Sequence, residues 1–147
     1  MSGGDTAERR REAAGWLAIA REDIRVAGAC LTLDPPARGV AAYHCQQAAE
    51  KLVKGLLVAA AVPFRKTHDM DELADQAASR YPNCGDLLDA VRPLTVWGFA
   101  YRYPGMEDIP EPAPDEAELR RIIGFVERLA DELQAASAAG EIRPGDR

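Results

Sequence analysis

Apolar residues recur at helical spacing along most of this chain. Ala13, Leu17, Ala20, Ile24, Ala27 and Leu31 share one face of a segment predicted as a helix over residues 6–31. Asp34-Pro35-Pro36 stops it, because proline cannot continue a helix, and Gly39 lies at the restart. The next helix, predicted over residues 38–61, carries a broad apolar arc of Cys45, Ala48, Ala49, Leu52, Val53, Leu56, Ala59 and Ala60. Tyr43, Gln47, Glu50 and Lys54 form a polar stripe roughly opposite, flanked by His44, Gln46 and Lys51. A helix apolar over about half its surface must bury that half against several partners.

Beyond the loop Val62-Pro63-Phe64-Arg65-Lys66, Thr67 or Asp69 can cap a short helix that ends near Arg80. Asp69 and Glu72 have the spacing of a capping box. A fourth helix is predicted from Gly85 to Tyr103, with Pro93 forcing a kink or restart and Pro104-Gly105 ending it. Residues 104–114 hold four of the ten prolines and three acidic residues, and read as a stiff connector. Asp115 and Glu118 repeat the capping-box spacing ahead of a final helix seamed by Leu119, Ile122, Val126, Leu129, Leu133 and Ala136. The expected architecture is one all-α domain over residues 1–139, a bundle of about five helices without strands, followed by a disordered tail over 140–147.

Composition narrows the function classes. The net charge of -6 excludes a bulk electrostatic grip on duplex DNA, leaving only a local basic patch. Three cysteines, none at a CxxC spacing, and two histidines do not make a zinc set, so Cys30, Cys45 and Cys84 read as reduced, mostly buried side chains. No metal and no cofactor is expected. Residues 1–11 lack an apolar leader core, and the longest apolar run, 56–62, is too short to span a bilayer. The expectation is a cytoplasmic protein without membrane association.

Three polar constellations could carry chemistry. In Tyr43-His44-Cys45-Gln46-Gln47-Ala48-Ala49-Glu50-Lys51-Leu52-Val53-Lys54, the polar residues are either a solvated face with a Glu50–Lys54 pair, or a wall whose amides read bases or peptides and whose lysines meet a phosphate. In Arg65-Lys66-Thr67-His68-Asp69, two cations precede a helix start, which gives either an anion site or a simple cap. In Tyr101-Arg102-Tyr103-Pro104-Gly105, the arginine either closes a helix end or joins two rings able to stack on a base. No glycine-rich phosphate loop, GxSxG or HExxH occurs.

Taken in order, Ala20-Arg21-Glu22-Asp23-Ile24-Arg25-Val26-Ala27, the Tyr43–Lys54 run, Pro63-Phe64-Arg65-Lys66-Thr67-His68-Asp69 and Arg102-Tyr103-Pro104-Gly105 resemble the HEPN family, in the branch with a QQAAEK helix, across about residues 15–135. The resemblance implies an up-and-down helical bundle, frequent homodimerisation, and association with nucleotides or RNA. As one common arrangement it also implies a small nucleotidyltransferase partner in a toxin–antitoxin-type system.

Many HEPN ribonucleases carry an arginine, four to six residues, then a histidine near a late helix. Here no histidine follows Arg102, so no catalytic residue is assigned. Arg38 and His44 satisfy the spacing formally, but at the start of the second helix, away from the family position. The leading expectation is a non-catalytic binding module with Gln46, Gln47, Glu50, Lys51, Lys54, Lys66, His68, Arg102 and Tyr103 around a polar cleft shared by a dimer. The alternatives are a metal-independent ribonuclease using His44 or His68, and a purely structural interaction subunit.

Overall fold

A computed structural model describes residues 3–98, 100 and 113–138. Five α-helices, with two 3₁₀ segments and no strand among the described residues, follow the order α1 (Gly3–Cys30), α2 (Arg38–Ala59), α3 (Met70–Arg80), α4 (Gly85–Val91) and α5 (Glu116–Ala138). The 3₁₀ segments are Pro82–Cys84 and Arg92–Gly98. The chain is thus an all-α helical bundle, with boundaries near those the periodicity predicts. Pro93 accounts for the departure in the fourth helix. It lacks the N–H an α-helix would use, and the chain tightens into a 3₁₀ run directly after α4. Tyr101, Arg102, Tyr103 and the tail from Gly140 lie outside the described residues.

α2 is the axis of the bundle. It packs against α1, α5, α3 and the Arg92–Gly98 segment together. Small side chains make this enclosure possible. Ala13, Ala20 and Ala27 of α1 and Ala41, Ala42, Cys45, Ala48 and Ala49 of α2 are buried in one core, so the two antiparallel helices approach closely. Gly55 marks the tightest point. A Cβ there would come within 2.6 Å of Leu133 Cδ2 and 3.1 Å of Trp16 Cβ. Leu52, Leu56, Leu57, Leu129 and Leu133 fill the interior beyond these contacts.

The burial of α2 exceeds the half-circumference that its apolar arc implies. Gln46, Glu50 and Lys54 are buried along with the arc, at 1%, 5% and 8% exposure. The polar stripe therefore does not face bulk water. It is covered by the Arg92–Gly98 segment and the chain leading into α3. The three cysteines are buried and free. Burial, with Cys30 adding to it, pushes the Cys45 thiol up to about 12. Burial, followed by Glu132, pushes Cys84 to about 11. Both thiols stay protonated at neutral pH and are poor nucleophiles.

Local caps settle the helix ends. Asp69 accepts from the Asp71 and Glu72 amides at the start of α3, and Asp115 accepts from the Glu118 amide at 2.8 Å at the start of α5. α2 ends two residues before the prediction, in a Schellman turn. The Val62 amide donates to the Leu57 carbonyl at 2.9 Å and the Ala61 amide to that of Val58 at 3.0 Å. Ala61 sits at φ 56°, the left-handed region in which glycine is favoured. Ala61→Gly is therefore expected to stabilise the protein by about 1 kcal/mol, read as a higher urea midpoint with unchanged slope. An unchanged or lowered midpoint would refute the strain at this turn.

Candidate functional site

Glu50 is the centre of the polar network on α2. Its carboxylate can only accept hydrogen bonds, and three donors meet it. Lys54 Nζ and His68 Nδ1 lie 2.7 Å from Oε1, and Gln46 Nε2 donates to Oε2 at 2.8 Å. Lys54 and Gln46 reach it because residues four apart on a helix are neighbours, one turn above and one turn below. His68 comes from the loop before α3. Burial pushes the Glu50 carboxyl up, but hydrogen bonds from Lys54, Gln46 and His68, with the Lys54 charge, outweigh it and hold it below the ordinary value.

The network continues outward. Gln47 Nε2 donates to Gln46 Oε1 at 2.7 Å. The Gln46 amide lies close against Gly98, where a Cβ would stand 3.0 Å from its Oε1. Thr95, in the same 3₁₀ segment, accepts the Met70 amide on its Oγ1 at 3.0 Å, which ties this wall to the start of α3. Tyr43, Gln46, Gln47, Glu50, His68, Thr95 and Gly98 together line a recess of about 320 Å³. No lysine or arginine is among these lining residues.

The expected site residues separate into groups. Gln46, Gln47, Glu50 and His68 line the recess, and Lys54 supports it from beneath as the partner of Glu50. Lys51 does not face it. One helical step from Glu50, Lys51 points toward α1 and donates to Asp23 Oδ2 at 2.5 Å, while His44 Nδ1 meets Asp23 Oδ1 at 2.9 Å. Lys66 is exposed and lies outside the lining. Arg102 and Tyr103 fall outside the described residues, so their convergence with α2 is not described.

Two other sequence signals resolve into structural roles. Arg65, one of the two cations before α3, forms a bidentate pair with Glu72 at 2.6 and 2.7 Å, and the helix start is capped by Asp69. The chain's own carboxylates thus engage Arg65 and the first amides of the helix, and leave Lys66 exposed beside them. Arg38 donates to the carbonyls of Ala113 and Pro114, at 3.2 and 3.4 Å, and secures the approach to α5. With His44 held by Asp23, neither member of the formal Arg38/His44 pair lines the recess. Thr95 and Gly98 were not legible as site residues. Their role arises from the 3₁₀ turn folding back over α2, which no local pattern announces.

Glu50→Gln is expected to destabilise the protein by about 3 kcal/mol at pH 7, because Lys54 is left buried without its counter-charge. The depressed Glu50 value places its contribution fully above the ordinary 4.5, and it is lost as pH falls through the folded-state value. The gap between wild type and Glu50→Gln in urea unfolding should be widest near neutrality and shrink below that pH. A gap that widens on acidification would contradict the assignment.

Among the described residues, no helix is long and apolar enough to cross a membrane, and no cluster of His, Cys, Asp and Glu is arranged to hold a metal. Comparison with curated proteins and with solved structures gives no match. The family comparison does match: residues 13–136, which include every described element of the recess, fit the HEPN domain, and the chain belongs to the HEPN family.

Proposed function

We propose that this HEPN-domain chain is a non-catalytic binding module for a nucleotide or an RNA end, with the α2 recess as the binding site. The observation that carries this reading is the Gln47–Gln46–Glu50 chain of hydrogen bonds, buried at Gln46 and Glu50 and opening through half-buried Gln47 on a recess of about 320 Å³, the low end of small-ligand sites. Buried polar groups are costly unless partnered, and here they are partnered yet still reach a concave surface. Gln46, Gln47, Glu50 and His68 form the described part of the site, with Lys54 behind them. Lys66, Arg102 and Tyr103 are retained as candidate phosphate and stacking contacts at its margin. Lys51 belongs to the Asp23 cluster instead. The family resemblance supports a homodimer and a small nucleotidyltransferase partner in a toxin–antitoxin-type system. Light scattering and the neighbouring reading frame test those two points.

Thermal unfolding with ATP, GTP and short single-stranded RNAs tests the binding reading. A ligand at 100 times its Kd should stabilise the fold by roughly 2.7 kcal/mol, a rise of about 5–10 °C for a domain of this size. Gln47→Ala and His68→Ala should abolish the rise; each also removes a donor from a buried acceptor, so the unliganded melting temperature should fall by a few degrees while the fold is kept. No rise with any of these ligands would leave a structural interaction subunit as the better reading.

One observation favours a second, enzymatic reading. His68 is 84% exposed while its Nδ1 meets the buried Glu50 carboxylate, so its outer nitrogen faces solvent in the manner of a general base. Under that reading the protein cleaves RNA in the presence of EDTA, His68→Ala abolishes cleavage and His44→Ala preserves it. An inert wild-type protein removes it.

A further inference from the structure

The directions of the hydrogen bonds made by Gln46, Gln47 and His68 follow from one group, the Glu50 carboxylate. A carboxylate offers no hydrogen to donate, so Gln46 must turn its NH₂ toward Glu50 and its carbonyl away. That carbonyl can only be met by a donor, so Gln47 must turn its own NH₂ inward. The Gln47 carbonyl oxygen is then the outer end of the chain. It lies on a half-buried residue of the lining and has no donor among the described residues. His68 obeys the same rule. Its Nδ1 must carry the hydrogen that faces Glu50, so Nε2 of the neutral ring is an acceptor. The charge at Glu50 therefore orients amides and imidazole alike, and the lining presents acceptors at Gln47 and His68. Thr95 complements them. Its oxygen already accepts the Met70 amide, and its hydroxyl hydrogen remains for a ligand.

Among the described residues the lining offers no cation for a phosphate: it holds no lysine or arginine, Lys54 is spent on Glu50, and Arg65 is spent on Glu72. A side wall is provided by the Tyr43 ring. Such a surface fits the flat edge of a base rather than an anion.

We infer that the recess selects a nucleobase bearing an exocyclic amino group, whose N–H donors meet the outward carbonyl of Gln47. This rests on the binding reading above and specifies what the site reads. Held in the same pose, an oxo group in place of the amino group would bring acceptor against acceptor, and a hydrogen in its place would leave the Gln47 carbonyl unpaired, a loss that hydrogen-bonding sites penalise strongly.

The test compares nucleotides that differ at that group: AMP/IMP and CMP/UMP exchange amino for oxo, with the adjacent ring nitrogen gaining a hydrogen, and GMP/IMP replaces the 2-amino group by hydrogen. Affinities of the full chain for AMP against IMP, for GMP against IMP, and for CMP against UMP are measured by calorimetry at one pH and salt. In at least one pair the amino-bearing member should bind about tenfold tighter or more. Gln47→Leu, which removes the carbonyl at a half-buried position, should bring the members of that pair to within about twofold. If these nucleotides bind and the members lacking the amino group bind equally or better in every pair, the inference is overturned while the binding reading stands. If none binds, the binding reading fails and this one falls with it. The wild-type comparison decides the matter even if the variant fails to fold.

Discussion

A carboxylate buried on the central helix constrains everything around it. Glu50 cannot give up a hydrogen, and at 5% exposure it cannot rely on solvent, so the fold must bring donors to it. Two come from its own helix, one turn away on each side, and one comes from the loop ahead of α3. The loop is in turn held by Thr95 through the first amide of α3, and the 3₁₀ segment carrying Thr95 closes over the Gln46 amide at Gly98. A single acceptor thereby couples α2, α3 and the 3₁₀ run into one wall. Buried polar networks of this kind are costly when incomplete and rigid when complete, which is the property a recognition surface needs.

The enclosure that buries Glu50 depends on small residues elsewhere. Alanines along the α1–α2 seam, and Gly55 against Leu133 and Trp16, let three helices surround α2 at short range. Larger side chains at those positions would push α1 and α5 outward. The trade is between core volume and closeness: small side chains bury less apolar area each, but they let the helix carry buried polar groups without voids beside them.

Three cations near the site are engaged one by one. Lys54 serves Glu50, Lys51 serves Asp23 beside His44, and Arg65 serves Glu72. In a chain of net charge -6, the described lining of the recess is polar and carries no lysine or arginine. The chemistry of its described lining is that of directed hydrogen bonds. The same engagement explains why a basic residue that looks available in a linear sequence, such as Arg65 before α3, is not free for an anion: its acidic partner Glu72 lies seven residues on, in the first turn of α3.

Helix positions, their caps at Asp69 and Asp115, the break at Pro93 and the buried state of the cysteines were legible in the amino-acid sequence. Each depends on local backbone chemistry or on the apolar period of one segment. The end of α2 was less so, because the left-handed residue there is Ala61 and no glycine marks the turn. The HEPN resemblance was legible too, since its motifs occur in order along the chain. What the sequence alone did not determine was the environment of the polar stripe. A helical wheel places Glu50 and Lys51 about 100° apart, but cannot say that a 3₁₀ segment some 45 residues later covers one while α1 meets the other. Burial is a property of what packs against a helix, not of the helix. The tertiary structure therefore decided that Gln46, Gln47, Glu50 and His68 share a recess, that Lys51 leaves it, and that Thr95 and Gly98 join it.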